Sequence, residues 1–368
     1  MSGVAMTRPD CPASGPRSPG FFLPHPTRPR PCADVPSPSM PTSTHPTGPA
    51  THEPALRAAQ MHLCKPAEPA LATVTRSELC TASKKAAGFV RHIELSVAGT
   101  PLAGACTPGQ SVGVLPPGTD EHGKPHKLRL YSLASPTAGE DGHGQTIATT
   151  VKRSIDEHWT THRLFAGVCS NYLCDLKPGD TVKLTGPSGK KFVLPENPSE
   201  HDYVFFATGT GIAPFRGMAL DLLRGGPAVA APGSKIALVM GSPYSTDLLY
   251  HDLFTELART SPDLAYLPAI SREPNGLHGR MYVQDRLVTD RDRLEALLKS
   301  PRTLVYICGI AGMELGIFQR LARVLAGSDL EQYLAVDRAA MENIDGWERS
   351  MIHRQVAPTR RVLLEVYA

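Results

Sequence analysis

The 368-residue sequence has few aromatic residues, only a small excess of positive charge and no long apolar run. Aromatic residues make up 6% and the formal net charge is +3, which is too mild to indicate a nucleic-acid partner. No apolar stretch approaches the roughly 18 residues that a membrane-spanning helix needs. We therefore expect a soluble globular protein without stable membrane insertion.

The cysteines are too scattered to indicate a metal cluster. There are eight, and only Cys169 and Cys174 lie close together, with no further Cys or His at a ligand-like spacing. Without a secretion signal, the pattern favours reduced intracellular thiols. We expect no bound metal.

Proline marks the first part of the chain. Many of the 35 prolines fall within the first sixty residues, where aliphatic residues are few and no periodicity is visible. Such a segment cannot bury enough apolar surface to offset its chain entropy. Residues 1–60 are predicted to be a disordered extension; Met61 is an alternative start of the chain.

Two domains are predicted after this extension. Residues 61–200 contain short β-rich runs separated by Pro and Gly, which indicates an antiparallel β-barrel. Residues 201–368 alternate apolar strands, such as Tyr203 to Ala207, with helical stretches. That alternation is typical of an α/β domain with a parallel sheet.

Two turns in the second domain follow apolar strands. Thr208 to Phe215 contains a Gly-x-Gly pair before a helix, where exposed backbone N–H groups can approach a pyrophosphate. Cys308-Gly309 follows another strand and should face the same crevice. Taken alone, the first turn could be an ordinary connection and the cysteine could be packing.

Two further patterns are ambiguous by themselves. Ser271-Arg272, with Arg280 and Tyr282 beyond it, could bind an adenosine 2′-phosphate or could be solvated surface. The strand Arg129 to Ser132 combines a cation with an aromatic ring, as a cofactor-binding strand would, but a plain hairpin strand would look similar.

Taken together, these patterns are more specific. The sequence from about Ala70 to Tyr367 resembles the plant-type ferredoxin–NADP⁺ reductases. The most specific stretches are Pro125 to Ser132, Gly167 to Gly179, Gly209 to Arg216 and the terminal Glu365-Val366-Tyr367.

The resemblance implies an FAD site on the first domain. Arg129 would hold the pyrophosphate, Tyr131 would cover one flavin face, and Ser132 would approach flavin N5. The other FAD-binding residues that it implies are Leu130, Thr150, Val151, Lys152, Val168, Cys169, Ser170 and Glu365.

It also implies an NADP(H) site on the second domain. Thr210 would lie between the two cofactors, and Lys152 would reach both. The 2′-phosphate and adenine would be bound by Ser271, Arg272, Arg280, Tyr282 and Gln284, and the rest of the nucleotide would be flanked by Ser242, Pro243, Gly309 and Ile310.

The implied catalytic residues are Ser132, Cys308, Glu365 and Tyr367, with Tyr367 stacked on the second flavin face. The sequence departs from the family pattern twice. Ala368 follows the tyrosine that normally ends the chain. The segment Ser154 to Trp159 also lacks the tyrosine that contacts the FAD adenine, and Trp159 could replace it.

The resemblance implies a flavoenzyme that passes electrons between NADPH and a one-electron carrier, ferredoxin or flavodoxin. The alternatives are the reductase component of a multicomponent oxygenase and a non-catalytic flavin-binding redox sensor. We expect a monomer or weak oligomer in the cytoplasm, with a plastid as the alternative. An acidic partner could dock on a basic surface, for which the candidates are Lys84, Lys85, Arg91, Lys127, Lys190 and Lys191.

Overall fold

The computed structural model describes residues 53–81, 89–225, 233–274 and 279–367. Within these ranges, no helix combines the length and the apolar character needed to cross a membrane. Residues 1–52, which make up most of the predicted disordered extension, lie outside the described residues, as do Lys84, Lys85 and Ala368.

The first half of the fold is a closed antiparallel barrel. Its main sheet has six strands in the order β4-β3-β8-β1-β2-β5. Leu133 bridges Thr149, and the N–H of Ala134 donates to the carbonyl of Ala148 at 2.7 Å, so the two edge strands also meet. The first-half elements are β1 (Ala70–Leu79), β2 (Val90–Ser96), β3 (Ser111–Leu115), β4 (Arg129–Ser132), β5 (Thr146–Lys152), β6 (Ile155–Glu157), β7 (Leu164–Ala166), α1 (Val168–Asp175) and β8 (Thr181–Ser188).

The second half is a parallel α/β layer with the strand order β11-β10-β9-β12-β15. Its central strand is buried on both faces, as its continuous apolar run predicts. Its main elements are β9 (Asp202–Thr208), α2 (Ile212–Arg224), β10 (Ile236–Ser242), α3 (His251–Thr260), β11 (Leu264–Ile270), α4 (Arg286–Thr289), α5 (Arg291–Leu298), β12 (Thr303–Ile310), α6 (Met313–Val324) and β15 (Val362–Tyr367), and it also contains α7 (Ser328–Glu331), β13 (Leu334–Val336), α8 (Arg338–Met341) and β14 (Val356–Pro358).

Strand order reverses between β9 and β12, so their carboxyl ends leave a crevice there. Two glycines allow the backbones to come this close. A Cβ on Gly211 would lie 2.2 Å from the carbonyl oxygen of Cys308, and one on Gly309 would lie 2.1 Å from Thr208 Oγ1. The fold class predicted from the sequence is confirmed.

The chain already forms backbone hydrogen bonds before residue 60, with the connection between the barrel and the α/β half. The N–H of Arg57 donates to the carbonyl of Leu194 at 3.1 Å, and the N–H of Glu196 donates to the carbonyl of Ala55 at 2.8 Å. Leu56 forms a bridge with Pro195 and packs on the α/β core. The segment 53–60 therefore differs from the predicted disorder, because its backbone groups have partners in the connection between the halves.

Candidate cofactor site

The crevice between β9 and β12 opens into a cavity of about 590 Å³. It brings together nine of the residues proposed from the sequence, although they come from segments far apart in the chain. These are Lys152, Thr210, Ser242, Pro243, Ser271, Tyr282, Gln284, Ile310 and Tyr367.

One hydrogen bond joins the glycine turn to the last strand. Thr210 Oγ1 lies 2.7 Å from the hydroxyl of Tyr367. The tyrosine keeps 40% of its surface exposed, and burial raises its pKa to about 12, so the hydroxyl is neutral. Tyr367 also lines the large cavity.

The strand register places two other predicted catalytic residues, Cys308 and Glu365, on the strands β12 and β15 close to Tyr367. Cys308 pairs with Glu365 across β12 and β15, and Ile310 pairs with Tyr367. Burial raises the pKa of Glu365 to about 7 and, together with Glu365, raises that of the Cys308 thiol well above its ordinary value. Near neutral pH the carboxyl can therefore hold or release a proton, whereas the thiol stays protonated.

Glu365 lines a second cavity of about 460 Å³, on the outer side of β15. An ion pair between Arg349 Nε and Glu314 Oε1 at 3.0 Å borders this cavity, and exposed His353 forms another wall. Ser132, the fourth predicted catalytic residue, has no hydrogen bond to this cluster among the described residues.

Two arginines are sequence neighbours of residues that line the large cavity, since Arg272 follows Ser271 and Arg280 precedes Met281. Arg272 and Arg280 are exposed and form no side-chain hydrogen bond or ion pair within the described ranges. Tyr282, which is 61% exposed, itself lines the cavity. An aromatic ring with two unpaired guanidinium groups suits a phosphorylated adenosine.

Sequence reasoning missed much of the cavity wall. Apolar residues and glycines complete it; they come from the segment between β11 and α4 and from the turn after β12 with the start of α6, namely Met281, Val283, Ala311, Gly312, Met313 and Gly316. A second pair of glycines, Gly309 and Gly312, also follows an apolar strand and precedes a helix, and it could have indicated part of this wall.

The residues predicted to bind FAD lie on β4, on β5 and at the start of α1. Arg129 is exposed and has no side-chain partner in the part of the chain that the structure describes. Leu130 and Val168 are 57% and 49% exposed, and Gly167, the residue before α1, provides no side-chain cap. An unpaired cation, a free helix start and exposed apolar surface fit a dinucleotide with a flavin ring.

The side chains of Tyr131, Cys169 and Ser170 make contacts within the protein itself. Burial and a hydrogen bond with Cys169 raise the pKa of Tyr131 above its ordinary range. The hydroxyl of Ser170 donates to the carbonyl of Gly167 at 3.1 Å and accepts from the N–H of Ser154 at 3.2 Å. Its hydroxyl therefore shapes the turn, whereas its backbone N–H lies in the first turn of α1.

Two residues predicted to line FAD face elsewhere. Val151 is fully buried in the barrel core. Thr150 is 5% exposed, and its hydroxyl lies 2.5 Å from that of Tyr250 on the α/β half. Both faces of β5 are buried here, because side chains alternate between the barrel interior and the other half. Only Lys152, at the end of the strand, remains exposed.

The segment after Lys152 forms a hairpin from β6 and β7. All six strand residues are exposed, and Trp159 in the connection is 85% exposed. The structure thus leaves the Trp159 ring accessible, and its contact with an adenine stays a prediction.

No metal was expected, and one group of possible ligands is present in the described ranges. Atoms of His92, Glu94 and Glu140 lie within 4.8 Å of one another. Both carboxylates already pair with arginines, since Arg76 Nη1 donates to Glu94 at 3.2 Å and Arg216 contacts both oxygens of Glu140.

Comparison with known proteins agrees with this geometry. Residues 205–318 match the family model described as the oxidoreductase NAD-binding domain. The ferredoxin–NADP reductase of Spirulina sp. is 40% identical over 248 residues, which cover 66% of this chain and 83% of that protein. The chain belongs to the ferredoxin–NADP reductase family.

Other ferredoxin–NADP reductases align over a smaller share of their length. Leaf isozyme 1 of Arabidopsis thaliana, a chloroplastic protein, is 43% identical over 211 residues, or 57% of this chain and 58% of that one. The cyanelle protein of Cyanophora paradoxa is 43% identical over 213 residues, with the same coverage.

The fold also matches a solved member of the family. Ferredoxin–NADP⁺ reductase from Plasmodium falciparum with 2′P-AMP superposes with a TM-score of 0.60 over 83% of this chain and 99% of that chain. The sequences are 19% identical, so this likeness concerns the fold.

Proposed function

We propose that this protein is an NADPH-dependent flavoenzyme that passes electrons between NADPH and ferredoxin through FAD. The carrying observation is the contact of Thr210 with Tyr367, where the carboxyl edge of the parallel sheet opens into the large cavity. Members of this family that match the chain are named for ferredoxin and NADP.

The two cofactors would be bound by different halves. Arg129, Tyr131 and the backbone at the start of α1 would hold FAD, while Arg272, Arg280 and Tyr282 would hold the 2′-phosphate and adenine of NADP(H). FAD, when bound, supplies the acceptor for a hydride and divides the electron pair into single electrons.

The chain's own contribution is positioning and proton supply. Tyr367 and Thr210 define the place where the nicotinamide and flavin rings would meet. We propose that the ring of Tyr367, a residue that is 40% exposed and lines the large cavity, moves aside for the nicotinamide. Glu365, with a pKa of about 7, would carry the proton that accompanies reduction.

Absorbance spectroscopy and diaphorase kinetics on the purified protein test this function. We expect flavin absorbance and strong reduction of a dye with NADPH, and a much weaker rate with NADH. Flavin absorbance without reduction by either nucleotide would favour the redox-sensor alternative. A protein that binds no flavin would contradict the proposal.

The physiological acceptor is tested by replacing the dye with purified ferredoxin or flavodoxin. We propose ferredoxin as the principal acceptor, with flavodoxin as the alternative, because the matching relatives are named for ferredoxin. Coupling to an oxygenase component, with neither carrier reduced, would favour the multicomponent-oxygenase alternative. Arg91, Lys127, Lys190 and Lys191 remain candidates for a docking surface.

We propose a cytoplasmic location for a monomer or weak oligomer. The Ala-, Pro- and Arg-rich composition suggests a GC-rich bacterial genome, while the chloroplastic relatives make a plastid the alternative. Cell fractionation and sedimentation of the purified protein test the two statements separately.

A further inference from the structure

The barrel and the α/β half meet across a buried set of polar side chains, which we call the interdomain network. It joins strands β2 and β5 and the loop after β4 to helices α2 and α3. Its members are His92, Glu140, Thr150, Arg216 and Tyr250.

Tyr250 provides one half of the network. Its hydroxyl lies 2.9 Å from His92 Nδ1 and 2.5 Å from Thr150 Oγ1, so one atom binds two barrel strands. Burial raises the pKa of Tyr250 well above its ordinary value, so the hydroxyl keeps its proton. The residue has a left-handed φ of 56°, a backbone conformation that costs free energy for a bulky residue.

Arg216 provides the other half. It donates to Glu140 Oε1 at 2.5 Å, to Oε2 at 3.0 Å and to the carbonyl of Ala134 at 2.8 Å. Both charged side chains are only 13% exposed. The guanidinium carbon also lies 5.2 Å from the ring centre of Tyr250, so the two halves of the network contact each other.

The two halves also pack closely around the interdomain network. A Cβ on Gly217 of α2 would lie 2.3 Å from the carbonyl oxygen of Ser135. Three buried alanines, Ala134, Ala148 and Ala213, pack together beside it. Small residues bring the backbones close, and the buried polar contacts then select one relative position of the two halves.

Several contacts of the interdomain network lie within a few positions, along the sequence, of residues proposed to bind the cofactors. The carbonyl of Ala134 is two residues after Ser132, and Thr150 is two residues before Lys152. Helix α2, which carries Arg216, begins two residues after Thr210.

We propose that Arg216 and Tyr250 are positioning residues that fix the spacing between the flavin-binding edge of the barrel and the nicotinamide-binding edge of the α/β half. Neither residue touches a cofactor in this assignment. The inference depends on the proposed function, since it concerns the rate of the same hydride transfer.

Tyr250→Phe tests the proposal because it removes only the hydroxyl. We expect the rate of hydride transfer per bound FAD, measured by anaerobic rapid mixing with NADPH, to fall about tenfold, because small misplacements of reacting groups are costly. The KM for NADPH should change less than about twofold, since the proposed 2′-phosphate and adenine residues all lie on one half. Loss of stability alone would lower the amount of FAD-loaded enzyme and leave the rate per FAD unchanged.

Glu140→Gln is the second variant, should Tyr250→Phe fail to fold. It keeps the shape of the side chain and weakens its hold on Arg216, so the same split between rate and KM is expected. Arg259→Ala, on the exposed face of α3, is the matched control and should behave as wild type.

An unchanged rate per bound FAD in a folded network variant would overturn the proposal. This failure differs from failure of the proposed function, in which the wild-type protein itself would not transfer a hydride from NADPH.

Discussion

The two halves of the molecule present their predicted cofactor residues in different ways. On the α/β half they surround a cavity formed by closely packed backbone turns, with Gly211 against Cys308. On the barrel they stand on the short strand β4 and at the start of α1, where Arg129 and Leu130 are exposed. The proposed nicotinamide side is therefore determined by backbone packing, whereas the proposed flavin side depends on individual surface side chains.

Gly211→Ala, on the α/β half, should cause the largest loss of stability and activity. The new Cβ would lie 2.2 Å from a backbone oxygen of Cys308, which cannot move without shifting β12. We expect a loss of about 3 kcal/mol or more in the free energy of unfolding and at least a hundredfold loss of NADPH-dependent activity. Urea unfolding and diaphorase kinetics measure the two effects.

Gly233→Ala is the matched control, because an added Cβ there meets no atom within 4 Å. Equal behaviour of the two variants would mean that the close crossing of the turns after β9 and β12 does not build the site.

Replacing Arg272 or Arg280, which are exposed and adjoin cavity-lining residues in the sequence, should affect binding without affecting the fold. Arg272→Ala and Arg280→Ala are each expected to raise the KM for NADPH roughly tenfold to a hundredfold, since each removes a charge-assisted contact to phosphate. The KM for NADH should hardly change. Equal losses with both nucleotides would contradict a 2′-phosphate site.

Glu365→Gln tests how the partly buried Glu365 carboxyl changes the stability of the protein with pH. The raised pKa means that the folded protein holds this proton more tightly than the unfolded chain. Stability is therefore highest below the ordinary value of 4.5 and falls as pH rises through about 7. We expect the cofactor-free variant to gain on the order of 2–3 kcal/mol over wild type between pH 4.5 and pH 8 in urea unfolding.

Glu295→Gln is the control for that comparison. Lys299 and Arg291 hold the pKa of the partly exposed Glu295 carboxyl at about 2, so its change with pH should have the opposite sign. A Glu365→Gln variant whose stability follows that of wild type at every pH would show that the carboxyl titrates normally.

The smallest effect is expected for Trp159→Ala on the barrel side. The ring is 85% exposed, so stability should not change. Loss of a stacking partner should weaken FAD binding by about tenfold at most, measured by fluorescence titration of the cofactor-free protein. Leu71→Ala, an exposed apolar residue on β1, serves as the control. Unchanged FAD affinity would show that Trp159 does not contact the FAD adenine.

The sequence indicates the local parts of the site well. The glycine turn after β9 is one continuous string between an apolar strand and a helix, and Cys308-Gly309 follows the same rule. Strand pairing brings Cys308 beside Glu365, two of the residues that the resemblance groups at the reaction centre, and it also places Ile310 beside Tyr367.

Features that depend on distant pairing were not predictable in the same way. The contact of Thr150 with Tyr250 joins residues 100 positions apart, and nothing in the alternation of β5 shows that its outer face is covered by α3. The left-handed backbone at Tyr250 also has no sequence signal, because a bulky aromatic residue rarely adopts it. The resemblance therefore assigned Thr150 and Val151 to FAD, whereas packing between the halves decides where their side chains point.

The most direct test of the account is anaerobic rapid mixing of the FAD-loaded protein with NADPH, followed by absorbance of the flavin. We predict that stoichiometric NADPH bleaches the flavin within one turnover, and that NADH does so far more slowly. Flavin that stays oxidised with NADPH, or that is bleached equally fast by both nucleotides, would contradict it.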